Sequence, residues 1–72
     1  MRDAVFTFAN DFENAAKAAA NTMTGNVAEL KDCGGMVLVR DGTPESDERQ
    51  RQPGLLMIPF EAGGVRYWIC SR

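Results

Sequence analysis

Residues 55–70 read LLMIPF, EAGG, VRYWIC: two runs rich in β-branched, aromatic and long apolar side chains, joined by a glycine pair. That pattern spells a β-hairpin. Gly63 and Gly64 can take positive φ without a steric penalty, which a tight reversal needs. With the turn at residues 61–64, Phe60 faces Val65, Ile58 faces Tyr67 and Leu56 faces Ile69. On the reverse side Met57 faces Trp68 and Leu55 faces Cys70. Cross-strand pairs of this kind contribute about 0.2–1 kcal/mol each. Pro59 has no N–H to donate, so its strand lies at a sheet edge or ends there.

The rest of the chain has to cover this hairpin. Val5, Phe8, Ala9, Phe12, Ala15, Ala16, Ala19 and Met23 recur at helical steps, opposite Asn10, Asp11, Asn14 and Lys17. The spacing predicts one amphipathic helix over residues 3–23. Residues 4–8, AVFTF, also suit a short strand, with Asn10 and Glu13 capping a shorter helix. The single long helix is the preferred reading. Asn26 and Glu29 have capping-box spacing ahead of Val27, Ala28 and Leu30, which points to a short second helix over 27–33. An edge strand is its alternative. Residues 36–40, MVLVR, form a strand apolar on both faces. Residues 41–53 hold six charged side chains and no large apolar one, and read as a long polar loop. The fold class is therefore α+β. An N-terminal helix and a short second helix pack on a three-stranded antiparallel sheet (36–40, 55–60, 65–70) that ends in the hairpin.

Counting covered faces gives the first functional expectation. Leu56, Ile58, Phe60, Val65, Tyr67 and Ile69 make one face a core face. The other still offers Leu55, Met57, Trp68 and Cys70 beside Arg66, where an antiparallel sheet with one solvated face would alternate to polar residues. One helix covers one face. The second needs the 27–33 element, the loop or another molecule, and the loop is too polar to do it well. Trp68 alone could bury about 200 Å², a large share of the stability of a chain this short. The expected partner-binding residues are Trp68, Met57, Leu55 and Arg66, with Glu45, Asp47, Glu48, Arg49 and Arg51 of the loop as a second contact. The competing reading folds the second helix under that face as an ordinary second core.

Composition narrows the chemistry. Seventy-two residues allow one domain. Such a chain buries only about 60% of its unfolded surface, so its stability is marginal. It has no histidine, which removes the commonest general base and metal ligand. Cys33 and Cys70 lack redox-motif spacing and read as small hydrophobes. The acidic loop residues lack the glycine and closing glutamate of a calcium loop. Neither glycine pair sits in a phosphate-binding motif. No catalytic, metal or cofactor-binding residue is assigned, and no cofactor is expected. A net charge of −2 disfavours direct nucleic-acid binding. No apolar run reaches the ~20 residues of a membrane span, and a cytoplasmic location is the simplest expectation.

The leading functional expectation is a small non-enzymatic protein-binding module. It would act as an inhibitor or adaptor that blocks a larger target. Phage and mobile elements often encode compact acidic proteins of this size, anti-CRISPR inhibitors among them. The alternative is a homo-oligomeric structural or regulatory interaction domain, with a second copy as partner and a homodimer as the simplest state. A thiol redox protein ranks below both.

Overall fold

The computed structural model describes residues 2–31 and 33–71, with side chains from Phe12 onward. The side chains of Val5, Phe8 and Ala9 in the predicted stripe lie outside what is described, as does Asp32 of the predicted second helix. The order of elements is α1 (Arg2–Thr22), β1 (Val27–Glu29), β2 (Val37–Arg40), α2 (Pro44–Gln50), β3 (Leu56–Ala62) and β4 (Val65–Ser71). The fold is α+β: two helices and an open four-stranded antiparallel sheet in the order β1-β2-β4-β3. No helix of the described residues is long and apolar enough to cross a membrane.

The N-terminal segment forms the single long helix rather than a strand followed by a shorter one. From Phe12 onward its stripe lies inward. Ala16 joins Leu30, Leu38, Tyr67 and Ile69 in the buried core, with Phe12, Ala19, Ala20 and Met23 packed against it. The register places Leu38 beside Ile69 and Arg40 beside Tyr67, so these residues share the sheet face under α1. Alanine on the helix brings its backbone close to the sheet without added bulk.

Three expectations are corrected. Among the described residues, 27–31 and 33 form no helix. Val27–Glu29 pair with β2 and raise the sheet from three strands to four. The capping-box spacing loses to ladder formation, and the Asn26 side chain instead donates from Nδ2 to Glu45 Oε1 at 3.3 Å. The β1–β2 connection is closed by Leu30 N–H donating to the Met36 carbonyl at 3.0 Å.

The 41–53 stretch is not a structureless loop, because Pro44–Gln50 is helical. Thr43 and Ser46 form a reciprocal capping box and Pro44 occupies the first turn, where its missing N–H costs nothing. Serine replaces the usual Glu or Gln in the box, which is why the motif escaped notice.

The hairpin register is shifted by two residues: Ala62 faces Val65, Phe60 faces Tyr67, Ile58 faces Ile69 and Met57 faces Cys70. The cause is a two-residue turn. Gly63 (φ 60°) and Gly64 (φ 77°) are both left-handed, as a type I′ hairpin requires. A shift of two preserves which face each side chain occupies.

Candidate functional site

The two sheet faces are covered unequally, and the difference defines the candidate site. On the face away from α1, Val39 is 0% exposed and Cys70 1%. Neither belongs to the core under α1. What covers them is α2, which lies against β2 and buries Ser46 completely. The expectation that the polar loop could not cover this face is thereby corrected. Ser46 is small, and the long stem of half-buried Arg49 can lie along apolar surface while its charge stays wet. Arg49 also approaches Cys70. Burial pushes that thiol above its ordinary range, and the positive charge of Arg49 partly opposes the shift.

The sequence-predicted contact residues distribute as follows. Trp68 is half-buried, and its indole N–H donates to Asp41 Oδ1 at 2.7 Å. Its cross-strand neighbours are Val39 and Pro59. Met57 and Leu55 are half-buried, and Leu55 joins Arg49, Val37 and Cys70 around a cleft of about 240 Å³. Arg66 is exposed and pairs with Glu61 at 3.8 Å. Glu45 accepts from Asn26, whereas Asp47, Glu48 and Arg51 are exposed and share a shallow depression on α2. Leu55 and Arg49 are thus brought together around one cleft, and the acids of α2 with Arg51 around another depression. Cys33 packs against the α1-side core and Cys70 lies on the opposite face, both as free thiols.

The surface that sequence reasoning missed is on the α1 side. Leu56 is 57% exposed, and Ile58 and Val65 are each 36% exposed. All three have the sheet phase of the core residues Tyr67 and Ile69 and were expected to be buried with them. The described part of α1 packs against β1 and β2, whereas β3 is the strand farthest from both. Phe60, half-buried, bridges this lip to the core through its ring contact with Tyr67 at 6.5 Å between centroids. The signal available was width: one helix about 10 Å across cannot cover strands spaced ~4.8 Å apart once a fourth is added.

The β3 edge itself is a poor template for an added strand. In a two-residue hairpin Ala62 and Val65 form the closing hydrogen-bonded pair, so Met57, Pro59 and Glu61 turn their backbone groups outward. Pro59 removes the central N–H of that row, a recognised protection of sheet edges.

Arg40 is the other unexpected feature. It ends β2 on the core side, and its Nε is the buried side-chain nitrogen without a hydrogen-bond partner among the described residues. Its Nη2 makes one weak contact, to Met23 Sδ at 3.9 Å. The chain was compared with protein-family models, with curated proteins and with solved structures, and it matches none of them.

Proposed function

We propose that this chain is a small non-enzymatic protein-binding module, an inhibitor or adaptor that acts by covering part of a larger protein. The observation that carries the reading is the apolar lip of Leu56, Ile58 and Val65, left open beside α1. The absence of histidine from the sequence argues in the same direction. The docking surface proposed here is the α1-side lip rather than the Trp68 face, because α2 already closes much of the latter.

The test uses paired baits, wild type and the Leu56→Glu/Ile58→Glu double variant, both first shown to be folded. A protein retained stoichiometrically by wild type and lost by the double variant supports the reading. Identical retention by both baits overturns it.

A further inference from the structure

Arg40 is placed where a structural arginine would have an acid beside it, and among the described residues it pairs with none. The nearest acids in sequence are committed elsewhere: Asp41 Oδ1 accepts from Trp68, and Glu45 Oε1 accepts from Asn26. No ion pair of the described residues includes Arg40. Its Nε is enclosed and unpartnered. No hydrogen bond among the described residues involves its Nη1, and the residue as a whole is half-buried, so part of it meets solvent. A half-stripped cation of this kind is costly to the free chain, since buried polar groups are nearly always paired. It is also a better anion receptor than a surface arginine, because much of its desolvation has already occurred.

Arg40 and the open lip lie on the same sheet face, with buried Tyr67 between them. The row across the sheet runs Arg40, Tyr67, Phe60, with Ile58 and Val65 one step away along β3 and β4. We propose that this face docks a segment of another protein that presents a carboxylate between apolar side chains, with Arg40 taking the carboxylate and the lip taking the apolar groups. The proposal rests on the protein-binding reading above and names the chemistry of the partner.

A second copy of the chain is the weaker fit for this role. The strand acids, Glu29 and Glu61, sit by register opposite Val37 and Arg66, on the α2 side. An isologous contact of the α1 face with itself would bring Arg40 toward its own copy with no strand carboxylate to meet it. A nucleic acid fits no better, since it is gripped by several basic groups together. Lys17 is paired with Glu13, Arg66 is paired with Glu61, and Arg49 lies on the other face.

The experiment selects binders from a random phage-displayed peptide library on wild-type protein, with Arg40→Met as the comparison. The selected peptides should share an Asp or Glu flanked by apolar residues. Synthesised, they should lose at least ~10-fold in affinity when that carboxylate becomes an amide or when Arg40 becomes Met, the worth of a hydrogen bond to a charged group. The free Arg40→Met protein should melt at the same temperature or higher, since it sheds an unpartnered buried nitrogen. Selected peptides with no acidic residue, or equal affinity for acid and amide forms, would overturn the proposal. So would a destabilised Arg40→Met that binds as wild type does, a wild-type mass that rises with concentration through this face, or duplex DNA competing at the same site. Overturning by any of these leaves the broader reading standing if the paired baits still differ; if the baits agree, both readings fail.

Discussion

Removing one hydroxyl at Thr43 should uncover the thiol of Cys70. Thr43 Oγ1 accepts from the Ser46 N–H at 3.2 Å and donates to the Arg40 carbonyl at 2.7 Å. Thr43→Ala deletes both. Loss of an N-cap side chain costs about 1 kcal/mol, within a range of 0.5–2, and the second hydrogen bond brings the total to about 1–2 kcal/mol. A seven-residue helix has almost no stability of its own, so this cost falls on its docked state. With RT near 0.59 kcal/mol, the population in which α2 has lifted should rise about 5- to 30-fold.

Cys70 reports that opening because it is 1% exposed on the face that α2 covers. The assay is pulsed labelling with a small thiol reagent, read by peptide mass, in the regime where opening is fast and labelling slow. The Cys70 rate should rise by the same 5- to 30-fold, and Cys33, packed on the other side of the sheet, should change little. Thr43→Ser keeps the hydroxyl and should label like wild type. An unchanged Cys70 rate would mean that α2 is not what shields this face. Equal acceleration of both thiols would mean that the sheet reaches reagent only by global unfolding, and the picture of a separable cover would be wrong.

Gly64→Ala should destabilise the fold by about 1–2 kcal/mol, the cost of a left-handed alanine; a Cβ there meets nothing within 4 Å, so the effect is purely conformational and should move the urea midpoint without changing the slope. Leu38→Ala, at a fully buried position in the α1-side core, should cost about 2–5 kcal/mol and threaten folding outright, as thermal unfolding would reveal. Stability should also fall on the alkaline side. Burial raises the folded Cys70 pKa, so the native state keeps a proton that the unfolded chain releases; the stabilisation is complete below the ordinary thiol range and is lost as pH climbs through it toward the raised folded value. The difference between wild type and Cys70→Ala isolates this slope, and no difference between them would count against the burial of that thiol.

How much of this was legible in the sequence follows from the range of each signal. The long helix and the hairpin rest on strong local patterns, an alanine-rich stripe and a glycine pair; the stripe lies inward from Phe12 onward, and the hairpin keeps the expected residues on each face although Leu56, Ile58 and Val65 stay exposed. The register slipped because the turn was read as four residues, although two adjacent glycines favour the two-residue form. The segment from Val27 was ambiguous because three residues cannot display a period. Its partner strand decides it, and pairing at that distance leaves no local trace. The helix at Pro44–Gln50 was signalled by Thr-Pro and obscured by serine standing where Glu or Gln usually completes the box. Without α2 the Trp68 face needs an outside cover, and without β1 a single helix is wide enough for the other face. Arg40 was visible as a charge in phase with Leu38 on a buried strand. Its lack of an acid partner depends on where Asp41 and Glu45 turn, which only three-dimensional placement reveals.

The corner at residues 40–46 ties the two faces together. Arg40 donates its own N–H to the Asn26 carbonyl at 2.8 Å and accepts at its carbonyl from Thr43 Oγ1. Asp41 donates its N–H to the Arg66 carbonyl at 3.1 Å and takes the Trp68 indole at its carboxylate. The cap that holds α2 on one face therefore also fixes the backbone from which Arg40 projects on the other. A firmly anchored backbone with an unpartnered head group is what a receptor for a charged ligand requires, because little further ordering is needed when the ligand arrives. A chain selected only for stability would gain by replacing that arginine with an apolar residue. That Arg40 sits unpaired on one of the best-tethered residues of the sheet is consistent with its partner lying outside the chain.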